Sequence, residues 1–446
     1  MKKCIEDFEH VAQDENARFI GNVQLGENVQ LKSLLRHYDV VVFAYGASKD
    51  RELGLEDEHM SGVLSARAFV GWYNGLPEYR DLNPDLSRGE NAVIIGQGNV
   101  ALDCARILLA DVEELKKTDI TSHALEILRN SKVRHVSVVG RRGPMQAAFT
   151  IKEVRELINL PNINFRCMAD GLYPTDVGSL PRPKKRLMEL LMKHRDQQKV
   201  DTQRSCTLRF CLAPIKLVRQ QSHSNSNGSD SDSSLNGLTS IEFQKTILTD
   251  PSDPASKVHP TTATTALPAT LLLRSIGYKA EALPGMPALG IQFDARKGML
   301  VHDGAGRLDL LPTTASSSAS DPPNAALYCA GWVKRGPTGV IASTMTDAFQ
   351  TAEAIVDDIK SGVVRVSSSQ YQHPKTQVKQ ENRARGGWPA VKSDIQAAGK
   401  KVEQVVDWKG WKMIDEVEKL RGRESGKPRE KTVDVAGMVR EAAVRD

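Results

Sequence analysis

Residues 91–109 read Asn91-Ala-Val-Ile-Ile95-Gly96-Gln97-Gly98-Asn99-Val100-Ala101, continuing Leu-Asp-Cys-Ala-Arg-Ile-Leu-Leu109. The run Asn91 to Ile95 reads as a strand. From Val100 to Leu109 the apolar positions Val100, Ala101, Cys104, Ala105 and Leu108 recur at three and four, which predicts a helix. Between them Gly96, Gly98 and Ala101 fit G-x-G-x-x-A. Each position has a physical role: Gly96 permits a tight turn, Gly98 lets an anion approach the backbone, and Ala101 allows close helix-sheet packing. The helix N-terminus then offers free N–H groups to a pyrophosphate. The plainer alternative is a strand-to-helix turn that needs glycine only for its dihedral angles.

Working outward, Asp39 to Ala44 reads as a buried strand, running into Tyr45-Gly46-Ala47. A helix is expected at Ser122 to Leu128, then a strand at Val133 to Val139 that ends in Gly140-Arg141-Arg142-Gly143-Pro144. This β-turn-α-β order predicts an α/β chain with a doubly wound sheet. Arg141 and Arg142 fall where such a fold meets the adenosine ribose. An acid there would favour NAD, whereas paired guanidinium groups suit a 2′-phosphate, so the expected ligand is NADP. Two solvated arginines in a turn are the alternative.

Further along, Thr270 to Ile276 and Ala325 to Ala330 read as strands. The second leads into a glycine-rich loop, Gly331 to Gly339, and a helix from Val340 to Ile359. The loop carries Lys334 and Arg335, and its N–H groups suit an anionic or polar cofactor edge. Trp332 is either a stacking ring or a core aromatic. Residues 220–236 and 313–323 are rich in Ser, Asn and Asp, or in Ser, Ala and Pro, and are expected to be disordered loops. In the polar tail after Ser361, Trp388, Trp408 and Trp411 are the expected docking points.

Composition excludes several classes. The chain has 446 residues, 40% of them hydrophobic, enough for two or three domains with real cores. A net charge of +5 is too small to indicate nucleic-acid binding by itself. No apolar run reaches the roughly eighteen residues of a membrane span. The six cysteines make no CxxC pair, which argues against a zinc or iron-sulfur site and for a reducing compartment. No G-x-S-x-G or HExxH motif supports hydrolysis. The basic run Arg182-Pro183-Lys184-Lys185-Arg186, continuing to Lys193, His194 and Arg195, suits an acidic protein surface, a solvated helix face or a nucleic-acid patch. It has no interleaved aromatics, which lowers the last of these.

Several stretches together resemble the adrenodoxin reductase family of mitochondrial ferredoxin-NADP reductases: SARAFVGWYNGLP at 65–77, GQGNVALD at 96–103, VGRRGPMQAAFTIKE at 139–153, SIGYK at 275–279, GWVKRGPTGVIASTMTDAF at 331–349 and GKPREK at 426–431. The resemblance runs from about Phe19 to Val433. It implies hydride transfer from NADPH to FAD, then single-electron transfer to a 2Fe-2S ferredoxin. By the same resemblance Gln97, Gly98, Asn99, Val100, Arg141, Arg142 and Glu153 bind NADP, while Trp332, Gly339, Val340 and Ile341 face the flavin. Arg155, Arg182 and Arg186 meet the ferredoxin. It further implies a mitochondrial location, with any membrane association peripheral.

The expected architecture is therefore two Rossmann-like domains. An NADP domain at 51–278 is inserted in an incomplete FAD domain made of 1–50 and 279–365, with 366–446 as its C-terminal extension. Incompleteness is expected because the chain starts past the family's opening strand and its glycine turn for the FAD diphosphate. No second fingerprint replaces it. Two other functions fit parts of the pattern: an NADPH-flavin oxidoreductase serving another acceptor, and a catalytically silent NADP-binding fragment.

Overall fold

The run Asn91–Ile95 forms a strand over those five residues, and the helix behind it spans Asn99–Leu109. The computed structural model describes residues 3–197, 202–219, 237–311, 325–339, 341–364, 366, 385–399 and 404–444. Both Ser-rich inserts and Val340 lie outside the described residues. Contacts divide the chain into one unit of residues 50–277 with 413–441, and another of 1–49, 278–412 and 442–446.

In the first unit a seven-stranded sheet runs in the order Val63–Ser65, Leu271–Arg274, Asn91–Ile95, His135–Val139, Ser205–Arg209, Asn164–Met168, Asp196–Gln197. All neighbours are parallel except the last pair. The fingerprint strand lies inside this sheet, paired residue for residue from Asn91 with His135 to Ile95 with Val139. Its continuous hydrophobicity has a direct cause. Ala92 and Ile94 enter one core and Val93 and Ile95 another, because a strand sends successive side chains to opposite faces.

The two cores are roofed differently. Helices Ala66–Tyr73, Asn99–Leu109, Ser122–Arg129, Ile151–Ile158 and Arg182–Lys193 pack Phe69, Trp72, Leu102, Leu125, Val154 and Met188 onto the first. Over the second lies a three-stranded antiparallel sheet, Leu212–Arg219, Leu238–Leu248 and Val258–Pro268, which contributes Leu217, Ile241, Phe243 and Leu267. The parallel Rossmann-like sheet was expected; this antiparallel cover was not. It fills the place a second helical layer would take.

The second unit carries a parallel pair, Val40–Phe43 with Ala326–Cys329, and a hairpin, Phe293–Asp294 with Met299–Leu300. Its core gathers Leu31, Leu35, Phe43, Met286, Leu300, Leu327 and Val333. Helices Ile341–Lys360 and Gly387–Ala397 belong to it. Trp388 packs beside Val29, Val391 and Ile395, and Trp408 stacks on Trp411 with ring centroids 4.7 Å apart.

The tail differs from its expected single assignment, because residues 413–441 pack in the first unit. An ion-pair clamp explains this. Arg429 bonds Asp415 at 2.5 Å and Glu418 at 2.8 Å, Lys427 donates to the Ile120 carbonyl and to Glu430, and Glu430 accepts from the Ser122 amide at 3.0 Å. The GKPREK motif thus fastens the tail to the start of helix Ser122–Arg129. Burial alone pushes the Asp415 and Glu430 carboxyls up, yet bonds from Lys419 and Arg429 on the first, and from Lys427 and Ser122 on the second, hold both below the usual range.

Groups held low in the folded state stabilise it fully above their unfolded values and cease to do so as pH falls through the folded ones. Melting temperature should accordingly drop as pH is lowered past about 4. Asp415→Asn should flatten that acid limb, and an unchanged limb would deny the pair its role. Arg429→Ala leaves two buried carboxylates undercompensated and should cost about 3 kcal/mol in urea unfolding.

Candidate functional site

The strand Asn91–Ile95 ends at Gly96, whose φ is +128°. A Cβ there would stand 2.0 Å from the Ser275 carbonyl oxygen, so only glycine fits. The Gly96 amide donates to the Val139 carbonyl at 2.8 Å, tying the turn to the neighbouring strand. Gly98 is the N-cap of the following helix, with extended backbone and no side chain to cap it. Its open side has nothing within 4 Å of where a Cβ would be. Among the described residues the amides of Asn99 and Val100 have no acceptor. Ala101 is fully buried under them, letting the helix close on the sheet.

The side chains around this turn hold its shape. Gln97 Nε2 donates to the Arg209 carbonyl at 2.8 Å, and the Gln97 carbonyl accepts from Ala148 at 2.9 Å. Asn99 Oδ1 accepts from the Thr150 amide at 2.7 Å and so joins the starts of helices Asn99–Leu109 and Ile151–Ile158. Glu153 sits half-buried in the first turn of the second helix, a favourable place for an acid. Open amides of Asn99 and Val100, an uncapped helix start and the bare Gly98 are the geometry that can accept an anion.

Arg141 and Arg142 follow the next strand and are exposed, with no carboxylate partner among the described residues. Only their carbonyls are engaged, accepting from Thr246 Oγ1 at 2.8 Å and the Cys211 amide at 3.2 Å. Cys211 takes a φ of +57° at that bend. Beyond them lies the 3-10 turn Pro144–Gln146. Lys184, read from sequence as part of a surface cluster, instead donates to the carbonyls of Met145 at 2.8 Å and Ala147 at 3.1 Å. Burial, and then the charge of Arg142, lower its pKa. Arg155, on helix Ile151–Ile158, and Arg182 and Arg186, on helix Arg182–Lys193, are exposed. Arg182 and Arg186, four apart, share one helix face.

In the second unit the loop after Ala326–Cys329 turns on Gly331, Gly336 and Gly339, all with φ between +72° and +84°. Lys334 does not face solvent. Its Nζ lies 3.0 Å from Asp347 Oδ1 and 3.0 Å from Thr351 Oγ1, all three side chains buried, and Asp347 Oδ2 accepts the Gly331 amide at 2.6 Å. Arg335 folds back over the loop to the Thr338 carbonyl and the hydroxyls of Ser343 and Thr344. The two cations therefore shape the loop and are already partnered. Trp332 is half-buried and stacks on Tyr278, centroids 5.9 Å apart and planes at 23°. Ile341, opening the next helix, is half-exposed. Sequence reading missed the Asp347–Lys334 pair, although Asp347 and Thr351 four residues apart mark one polar helix face turned inward.

Two glycine substitutions separate fold from site. Gly96→Ala should destabilise by about 3 kcal/mol or more, since both dihedral and space forbid it. Gly98→Ala should leave the melting temperature nearly unchanged yet weaken dinucleotide binding roughly tenfold, by filling the anion seat. Equal binding by wild type and Gly98→Ala in a calorimetric titration would place the anion elsewhere.

No family model matches the chain. Among curated proteins it is 39% identical to the mitochondrial NADPH:adrenodoxin oxidoreductase of Drosophila melanogaster, across 100% of this chain and 83% of that protein. The human protein of the same name is 38% identical over 99% and 81%, and that of Arabidopsis thaliana 37% over 99% and 85%. Among solved structures, Mycobacterium tuberculosis FprA in complex with NADPH superposes with a TM-score of 0.80 at 32% identity, covering 99% of this chain and 87% of that one. The likeness spans both units and includes the fingerprint turn. By these relationships the chain belongs to the NADPH:adrenodoxin oxidoreductase family.

Proposed function

We propose that this protein is an NADPH:ferredoxin oxidoreductase of the adrenodoxin type, taking a hydride from NADPH through FAD and passing single electrons to a 2Fe-2S ferredoxin. The observation that carries the reading is one juxtaposition: an uncapped glycine turn at 96–100 and, past the adjoining strand, two guanidinium groups with no acidic partner among the described residues. The first supports binding of a dinucleotide pyrophosphate, with Gly98 admitting it and the amides of Asn99 and Val100 donating. Gln97 contributes by shaping the turn. The second supports recognition of a 2′-phosphate by Arg141 and Arg142. Glu153, half-buried in the helix that Asn99 anchors, is assigned a further part of the nucleotide.

In the second unit Trp332, Gly339, Val340 and Ile341 are the residues assigned to the flavin. The glycine loop fits a polar ring edge, because its Lys and Arg side chains are occupied in shaping it and leave its main chain to meet the ring. When bound, FAD accepts two electrons with a hydride and gives them up one at a time. Arg155, Arg182 and Arg186 supply positive charge to an acidic partner surface. The named relatives are mitochondrial, and we assign this protein the same location. Among the described residues no helix is long and apolar enough to cross a membrane.

Two kinetic tests probe the reading. Arg141→Ala with Arg142→Ala should raise the KM for NADPH by about 100-fold while barely altering that for NADH; equal losses would reject the 2′-phosphate assignment. Charge reversal at Arg182 and Arg186 should slow ferredoxin reduction at low salt by at least about tenfold and spare a small artificial acceptor. An unchanged ferredoxin rate would remove these residues from the docking face.

A further inference from the structure

The basic run 182–186 is split by the helix that carries it. In helix Arg182–Lys193 the buried residues are Leu187, Met188 and Leu191. Lys184 precedes them by three, four and seven positions, so it heads the inward stripe, whereas Arg182 and Arg186 lie off it and are exposed. A lysine on such a stripe must find partners or bring its ammonium back to water. Lys184 finds the carbonyls of Met145 and Ala147, in the turn that begins at Arg141-Arg142. An ammonium has three donors, and among the described residues the third has no acceptor.

Lys184 thus reaches from its helix to the turn that Arg141 and Arg142 open, and among the described residues none of the three cations pairs with a carboxylate. Gathering like charges this way is unfavourable in the empty protein, as the lowered pKa of Lys184 registers, from burial and then from Arg142. A dianion resting among them would relieve it. The phosphate monoester of a 2′-phosphorylated nucleotide is such an anion, carrying a charge of about −1.5 to −2 at neutral pH. A carboxylate placed here would cancel the same charge permanently and abolish the preference.

We propose that Lys184 is a third cation of the 2′-phosphate subsite, a specificity-determining residue that supplies charge beside Arg142 and pins the turn carrying it, and that it takes no part in docking the ferredoxin. This rests on the assignment of Arg141 and Arg142 to the 2′-phosphate. It also divides the basic run by function: Lys184 selects the nucleotide, Arg182 and Arg186 the partner.

The test is calorimetric titration of the full chain with 2′,5′-ADP and with 5′-AMP, which differ only in the 2′-phosphate. Lys184→Gln keeps a neutral donor for the two carbonyls and should weaken 2′,5′-ADP about tenfold while leaving 5′-AMP within about twofold. Lys184→Arg, which keeps the charge, should retain most of the preference. If Lys184→Gln leaves 2′,5′-ADP binding intact while Arg141→Ala with Arg142→Ala destroys it, the proposal falls and the arginine assignment stands. If neither change alters the preference, both fall. Equal weakening of the two ligands by Lys184→Gln, or a preference lost in Lys184→Arg as well, would reduce Lys184 to a support for the turn and overturn the proposal.

Discussion

The carbonyl oxygen of Ser275 stands 2.0 Å from where a side chain on residue 96 would begin, and much of the first unit follows from that one close approach. It requires glycine, with a positive φ, at the end of the central strand. The chain then turns fast enough for helix Asn99–Leu109 to begin against the sheet, over the buried Ala101. The helix starts on Gly98, which has no side chain to cap it. The donors that capping would have satisfied remain open, which is what an anionic ligand needs. Tight packing beneath the turn and vacancy above it are two results of one geometry.

A second regularity concerns where the cations go. Lys334 and Arg335 look like ligands for a cofactor in the sequence and are consumed in shaping their loop, the first as a buried ion pair with Asp347. Breaking such a pair costs far more than forming it gains, so it acts chiefly to specify one loop conformation. Arg141 and Arg142 do the opposite: their backbone is fixed through carbonyls while their side chains stay uncommitted. A fixed main chain with uncommitted charge is what the proposed 2′-phosphate subsite requires.

These contrasts explain what was legible in the sequence. The strand Asn91–Ile95, the helix behind it and the strand ending at Val139 could be read because burial on both faces leaves an unbroken apolar run, and burial on one leaves a helical stripe. The glycine spacing and the paired arginines suggested their own roles by chemistry, and family likeness added Glu153, the residues expected at the flavin and the arginines expected at the ferredoxin. The antiparallel cover was illegible for an equally physical reason. Its strand Val258–Pro268, VHPTTATTALP, has almost no apolar alternation and is held by ladder bonds to Leu238–Leu248 rather than by its own pattern. Lys184 was misplaced because it was read as one of a run of charges, when its distance from Leu187, Met188 and Leu191 already set its direction. The tail's division could not be read either, since it depends on Lys427 and Glu430 meeting Ile120 and Ser122, some three hundred residues away in sequence.

On the proposed function, the first unit binds NADP through the open glycine turn and a cationic subsite for the 2′-phosphate. Phosphorus NMR of NADP+ bound to the purified chain, followed across pH, observes that phosphate directly. A free phosphate monoester loses its second proton near pH 6, becoming a dianion. Held among guanidinium groups, it should stay dianionic well below that value, with a resonance that barely moves between about pH 7 and 5. A bound 2′-phosphate that titrates as it does in free solution would contradict the account.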